Sequence, residues 1–166
     1  MRYLIALLIF IAGWFATAPS DARQVIIPHI EYINHFLRNY PERRAKALEI
    51  MPTLEAISFQ YGFDPIIPTV IIACESAWKQ SACGEIGEIG LMQVHGRCAK
   101  GFDLSTIDGQ LESGMTCLDM SRGLCDGSLK QTMTMYMSGR CHARTERTKR
   151  VVARRVRIIE KWRALW

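Results

Sequence analysis

The sequence predicts an all-α protein with at most a very small β element. Apolar residues recur at spacings of three and four in several separate segments, which is the pattern of amphipathic helices. No run of alternating polar and apolar residues is long enough to predict a strand. The 166 residues suffice for one domain, and 49% hydrophobic with 22% charged residues is the composition of a globular chain.

The first two helices are predicted on either side of Pro41. Apolar side chains between residues 30 and 38 share one helical face, and Asn39 and Tyr40 end this run. The second helix begins at Pro41, because proline is tolerated in a first turn, and it extends to about Tyr61. Its apolar residues again follow the helical spacing.

The third helix is predicted to lie in the middle of the domain. It extends from Pro65 to about Trp78, and both Pro65 and Pro68 fit its opening turn. Residues 70–74 are apolar on nearly every side, which is typical of a helix that is buried all round.

The remaining chain consists of a glycine-rich loop and three further helices. Five of the 12 glycines fall between residues 79 and 102, and this segment is predicted to be a loop with one short helix at 91–94. Helices are then predicted over residues 105–122, 129–137 and 144–166.

The first 22 residues have the three-part pattern of a secretory signal. Arg2 precedes 16 residues of which 14 are apolar and none is charged, and small residues follow. Ala18 and Ala22 are candidate cleavage sites, with Ala22 preferred. An uncleaved anchor is the alternative, although a bilayer span takes about 17–25 residues. The expected mature domain is 23–166, in the periplasm or secreted.

Six cysteines in such a compartment predict disulfides, for which 15 pairings are possible. Successive cysteines are 9, 15, 19, 8 and 16 residues apart, and no C-x-x-C pair occurs, so the spacing fits no zinc motif. No metal is therefore expected. The cysteines are Cys74, Cys83, Cys98, Cys117, Cys125 and Cys141.

Glu75 is the candidate catalytic residue, at the end of the buried third helix. Loss of hydration beside an apolar run favours the neutral acid over the carboxylate. A protonated carboxyl group is what a glycosidic oxygen needs as a general acid. The alternative is an ordinary glutamate at a helix end that points into water.

Two downstream motifs supply groups suited to binding a sugar. Gly87 to Gln93 has the sequence GEIGLMQ, in which glycines allow close approach of the backbone and Gln93 offers a donor and an acceptor. Tyr136 to Gly139 has the sequence YMSG and places an aromatic hydroxyl at a helix end. Together with Glu75 and Ser76, these motifs resemble the lytic transglycosylases of the soluble-lytic-transglycosylase and goose-type-lysozyme superfamily. The resemblance covers about residues 57–139.

The resemblance implies a lysozyme-like fold and cleavage of peptidoglycan between N-acetylmuramic acid (MurNAc) and N-acetylglucosamine (GlcNAc). Glu75 is then the sole catalytic acid and base. It protonates the bridging oxygen, and its carboxylate accepts the proton of the muramic C6 hydroxyl, which attacks the anomeric carbon and forms a 1,6-anhydro product. Ser76, Met92, Gln93 and Tyr136 are expected to line the cleft, with Tyr136 close to Glu75. Core packing is the alternative for Met92, and no cofactor is expected.

Several positions near these motifs depart from the family or invite other roles. Met137 replaces the usual Asn, Glu88 takes a position that is commonly small, and Gln110 stands where an Asn often begins the next helix. His95 is expected to be structural or exposed. Cys74 is expected in a disulfide that holds the catalytic helix, with Cys141 as a candidate partner.

The basic excess of the chain, a formal charge of +5, belongs to the last helix. Residues 140–166 hold 10 basic and 2 acidic residues, whereas residues 23–139 hold 10 basic and 13 acidic ones. The helix has a basic stripe opposite an apolar side, which suits either an anionic membrane or glycan surface or packing on the domain, and packing is favoured. The stripe comprises Arg150, Arg154, Arg157 and Lys161.

Two alternatives to a transglycosylase remain open. A hydrolytic muramidase on the same fold needs a second polar group to position water, and Glu85, Glu88 and Asp103 are candidates. A non-catalytic cationic protein would act on membranes through the last helix.

The expected partners are peptidoglycan glycan strands, and no nucleic acid is expected to bind. The protein is expected to be a monomer. The setting (a secretion or conjugation machine, wall turnover or phage lysis) stays open.

Overall fold

A computed structural model describes residues 21–164, with side chains from His29 onward. The expected signal segment therefore lies almost entirely outside the described residues. Within this range the chain forms six helices, which confirms the all-α class, and none of them is both long and apolar enough to cross a lipid bilayer. The helices are α1 (Asp21–Phe36), α2 (Pro41–Gln60), α3 (Ile66–Glu75), α4 (Ile107–Leu124), α5 (Leu129–Ser138) and α6 (Glu146–Arg163).

Local signals in the sequence account for most helix ends. Pro41 opens α2, as expected. The helices α4, α5 and α6 begin after Thr106, Ser128 and Thr145, whose side-chain oxygens accept backbone N–H groups of the first turn. Helix α5 ends at Gly139, which takes the left-handed conformation at φ 68°. These ends lie within a few residues of the predicted ones.

Helix α3 lies at the centre of the domain. Every residue from Ile66 to Ala73 is buried, and the helix packs against α1, α2 and α6. This confirms the burial predicted from its apolar sequence. The helix ends at Glu75, because Ala77 and Trp78 both have positive φ, at 49° and 65°, and cannot continue it.

Helix α6 packs its apolar side onto the domain, which confirms the favoured interpretation of this segment. Val152 and Ile159 are buried against the core, and Trp162 makes an edge-to-face contact with Tyr32 of α1. The four residues of the basic stripe are all exposed. The apolar side of the helix is therefore occupied by the domain itself.

The glycine-rich segment is a loop, and the short helix predicted at 91–94 is wrong. Gly90 and Gln93 both have positive φ, at 78° and 50°, so a helix cannot form across them. The loop instead folds back through isolated antiparallel bridges, which join Ile89 to Cys83 and to Val94. This is the very small β element that the sequence allowed.

Candidate active site

Glu75 lies where the buried helix α3 reaches the surface. Its side chain is 22% exposed, whereas the eight helical residues from Ile66 to Ala73 are buried. The next residue, Ser76, ends the helix, and both its backbone N–H and its hydroxyl donate to the carbonyl of Ile72. The hydroxyl of Ser76 thus closes the helix, and its side chain does not line the cavity described below.

A buried arginine contacts the Glu75 carboxyl. Nη1 of Arg155 donates to Oε1 of Glu75 at 2.5 Å, and the Arg155 side chain is only 9% exposed. Arg155 comes from α6, 80 residues further along the chain. The sequence context suggested purely apolar surroundings for Glu75. The structure differs, because a guanidinium donates a hydrogen bond to its carboxyl group.

The carboxyl group of Glu75 borders a cavity of about 150 Å³. An adjoining groove of about 460 Å³ shares five of the lining residues, so the two form one continuous depression. The shared residues are His95, Cys98, Cys117, Tyr136 and Met137. Another cavity of about 470 Å³ lies between α5 and α6, and its lining residues include no carboxylate. The depression beside Glu75 therefore differs from the cavity between α5 and α6 in being bordered by a carboxyl group.

Tyr136 lines the same cavity as Glu75. Its hydroxyl donates to the backbone carbonyl of Met92 at 2.7 Å. Burial and the negative charge of Glu75 both raise the pKa of Tyr136 well above the usual range of tyrosine. The phenol is therefore neutral at physiological pH and acts as a hydrogen-bond donor.

The two candidate residues at the end of the GEIGLMQ motif differ in position. Gln93 lines the cavity, and its Nε2 donates to the carbonyls of Ala82 and Gly90. The amide N–H groups of Gln93 therefore bond within the loop. Met92 is fully buried, and its sulfur packs so closely on Gly114 that a Cβ there would lie 2.2 Å away. The side chain of Met92 thus belongs to the core.

Gln110 holds this motif in place from α4. Its Oε1 accepts the backbone N–H of Leu91 at 2.9 Å, and its Nε2 donates to the carbonyls of Gln80 and Leu104. Gly90 is required beside it, because a Cβ at this residue would lie 2.3 Å from the Gln110 amide. The departure at residue 110 therefore has a structural role in positioning the loop.

A second carboxylate borders the cavity. Glu88 and His95 both line it; Glu88 is half-buried and His95 is exposed. Oε2 of Glu88 accepts the backbone N–H of Ile86 at 3.0 Å. The other two candidates for a second acid, Glu85 and Asp103, are not among the lining residues, and the Asp103 carboxylate accepts two hydrogen bonds from Ser105.

The chain matches no protein-family model and no curated protein.

Two disulfides are present, and one of them borders the cavity. Cys98–Cys117 joins the glycine-rich loop to α4, and Cys125–Cys141 joins the end of α4 to the loop before α6. The expected pairing of Cys74 with Cys141 is wrong, since the fold places Cys141 beside Cys125. Cys74 has a half-buried free thiol whose pKa is raised by burial, and Cys83 has an exposed free thiol.

Among residues 21–164, no group of three or more His, Cys, Asp or Glu side chains is arranged to hold a metal ion.

The sequence analysis did not identify Arg155 as a site residue, although its position in α6 indicates a buried side chain. Val152 and Ile159 are buried on α6, and Arg155 follows the first by three residues and precedes the second by four. It thus lies on the apolar side of the helix, apart from the exposed basic stripe. An arginine at such a position is rarely buried without an anionic partner. The register predicts that a partner exists, but not which one.

Proposed function

We propose that this chain is a lytic transglycosylase of lysozyme-like fold that acts on peptidoglycan. It cleaves the β-1,4 bond between MurNAc and GlcNAc and forms a 1,6-anhydro-MurNAc end. The observation that carries the proposal is the shared cavity of Glu75 and Tyr136 at the end of the buried helix α3. The order of the Glu-Ser, GEIGLMQ and YMSG motifs supports the same assignment.

The proposed reaction needs one carboxyl group. Protonated Glu75 donates its proton to the bridging oxygen, and the bond from this oxygen to the anomeric carbon of MurNAc breaks. The resulting carboxylate accepts the proton of the C6 hydroxyl, whose oxygen bonds to the same anomeric carbon. Glu75 ends the cycle protonated, as it began, and no water is consumed.

The side chains around Glu75 suit a glycan strand. Tyr136 is anchored to the carbonyl of Met92, Gln93 lines the cavity, and the groove of about 460 Å³ extends the cavity along α4 and α5. The two disulfides support a location outside the cytoplasm, in the periplasm or secreted, where such strands are found.

Digestion of purified peptidoglycan tests this proposal. We expect the full mature chain to release muropeptides with anhydro ends, identified by mass spectrometry. Glu75→Gln is expected to lower the rate by at least about 100-fold, because it removes the proton that general acid catalysis requires. Glu31→Gln, an exposed change on α1, is the matched control and should keep the parent rate. A Glu75→Gln variant as fast as the parent would overturn the proposal.

A hydrolytic muramidase is the second candidate, because Glu88 borders the same cavity as Glu75. A second carboxylate at the cavity is suited to positioning a water molecule. In this case the products have reducing MurNAc ends and incorporate oxygen from ¹⁸O-labelled water. Glu88→Gln then lowers the rate strongly, whereas for the transglycosylase it changes the rate little.

A further inference from the structure

The basic stripe of α6 is a surface feature that the proposed reaction does not use. Its four residues are exposed and follow one another at spacings of four, three and four, so they share one side of the helix. Arg147, three residues before Arg150, is also exposed and continues the stripe. From Arg147 to Lys161 these five cations extend over about 21 Å of the helix, at about 1.5 Å per residue.

The positive charge of the stripe is not neutralised within the part of the chain that the structure describes. None of its four side chains forms an ion pair there. The other two arginines of the second half of α6, Arg155 and Arg163, each contact a carboxyl group of the domain. Of the two acidic residues of the helix, Glu146 pairs with Lys149, and Glu160 forms no ion pair with a described side chain. The stripe is therefore available to an external anion.

The stripe points away from the side of α6 that meets the candidate active site. That side is marked by Arg155, which contacts Glu75. Since an α-helix turns by about 100° per residue, Arg150 and Arg157 lie about 140° and 160° around the helix from Arg155. No residue of the stripe lines the cavity beside Glu75 or the adjoining groove. The stripe is thus a second surface and not an extension of the proposed glycan site.

The distribution of charge orients the chain toward an anionic surface. Residues 140–166 hold 10 basic and 2 acidic residues, whereas residues 23–139 hold 10 basic and 13 acidic ones. An anionic surface therefore attracts the C-terminal segment and repels the rest of the domain. The apolar side of α6 packs on the domain through Val152 and Ile159. The side chains with which an amphipathic helix enters a bilayer are thus occupied, and attraction by charge is what remains.

We propose that the basic stripe of α6 binds the anionic phospholipid headgroups of a membrane surface, by charge and without insertion of the helix. The phosphates of such a surface form a planar array, which a straight row of long, exposed basic side chains can contact at several points at once. Because the stripe and Arg155 lie on different sides of α6, the bound protein keeps the cavity beside Glu75 open. This inference goes beyond the proposed function and does not depend on it.

Co-sedimentation of the full mature chain with lipid vesicles tests this proposal. We expect binding to phosphatidylcholine vesicles that contain about 30% phosphatidylglycerol, and none to phosphatidylcholine alone. A triple variant changes Arg150, Arg157 and Lys161 to Gln, and it keeps Arg154 because the charge of that residue reaches Cys74. Each basic residue near an anionic surface strengthens binding about fivefold, so this variant should bind about 100-fold more weakly than the parent. Binding of the variant equal to that of the parent overturns the inference.

A second triple variant controls for net charge. It changes Arg43, Lys79 and Lys100 to Gln, which removes three exposed positive charges from α2 and from the segment between α3 and α4. This variant has the same net charge as the stripe variant, and it should bind the anionic vesicles nearly as the parent does. An equal loss of binding in both triple variants would show that net charge alone attracts the chain, and it would refute the stripe as the binding surface.

Salt separates attraction by charge from insertion. The Debye length falls from about 10 Å at 0.1 M to about 3 Å at 1 M ionic strength, so the parent should leave the vesicles over this range. Retention at the higher ionic strength would indicate insertion of apolar side chains and contradict the proposal. Binding to purified peptidoglycan that the stripe variant loses, without binding to anionic vesicles, would instead assign the stripe to an acidic wall polymer.

The vesicle measurement is independent of catalysis. The stripe variant should have the circular dichroism spectrum of the parent and should digest purified peptidoglycan at the parent rate, since its three changes are exposed and lie outside the cavity. A parent chain that forms no anhydro products refutes the proposed function alone. A parent chain that does not bind anionic vesicles refutes the membrane-binding role of the stripe alone.

Discussion

The hydroxyl of Tyr136 donates a hydrogen bond to the backbone carbonyl of Met92, at 2.7 Å. This bond connects the end of α5 to the glycine-rich loop, 44 residues earlier in the chain. It anchors the aromatic ring of Tyr136 at the cavity that Glu75 borders. It also supplies a hydrogen-bond donor to the backbone carbonyl of Met92, whose side chain is fully buried. The geometry of the candidate site thus depends on contacts between distant segments.

Removal of this hydroxyl is expected to destabilise the protein. Tyr136→Phe leaves the Met92 carbonyl without its donor, which costs about 1–3 kcal/mol of unfolding free energy. Urea denaturation followed by circular dichroism measures the change. Tyr40→Phe is the control, since Tyr40 is 54% exposed, and it should be neutral. Equal stability of the two variants would show that the bond does not form.

A methyl group at Gly90 is expected to disrupt the loop. Gly90→Ala adds a Cβ 2.3 Å from the Gln110 amide at a residue with φ 78°, so it combines steric overlap with backbone strain. Gly101→Ala is the matched control, because its φ is 91° and nothing lies within 4 Å of the added Cβ. Strain alone costs about 1–3 kcal/mol. We expect thermal denaturation to show a clearly larger loss for Gly90→Ala, and equal losses would contradict the role of Gln110.

The disulfide beside the cavity is expected to contribute substantially to stability. Replacement of both Cys98 and Cys117 by Ala opens a loop with a sequence separation of 19 residues. By the chain-entropy model this costs about 3 kcal/mol, which equilibrium denaturation measures. Cys83→Ala provides the comparison, because this thiol is free and exposed. A double variant as stable as the parent would indicate that the bridge does not constrain the unfolded chain.

The half-buried thiol of Cys74 predicts a loss of stability at alkaline pH. Burial raises the pKa of Cys74 above its ordinary value of 9.0, so the unfolded chain releases this proton at a lower pH than the folded chain. The stabilisation is therefore complete below about pH 9 and is lost as the pH rises through the folded value. Urea midpoints from about pH 7 to about pH 10 should fall less steeply for Cys74→Ala than for the parent. An equal slope in both would refute the contribution of this thiol.

Local patterns in the sequence predicted most of the helices, but α1 begins at Asp21, well before the predicted run of residues 30–38. Apolar spacing located α2, α3 and α5 within a few residues, and Pro41 and Gly139 act as the helix start and stop that their chemistry indicates. The short helix predicted at 91–94 does not form, because Gln93 adopts a positive φ. In this conformation the side chain of Gln93 donates hydrogen bonds to the carbonyls of Ala82 and Gly90. Nothing in the spacing of the apolar residues reports that conformation.

The sequence alone located five of the six described helices to within a few residues and predicted that α3 is buried, because these properties follow from neighbouring residues on one helix. Only the tertiary structure decided that Cys141 pairs with Cys125, that Met92 packs in the core and that Arg155 meets Glu75. Each of these contacts depends on how separate segments pack against one another. The spacing of residues along a single segment does not report that packing. For this reason the sequence placed Glu75 beside apolar residues alone, whereas the structure pairs it with the buried Arg155.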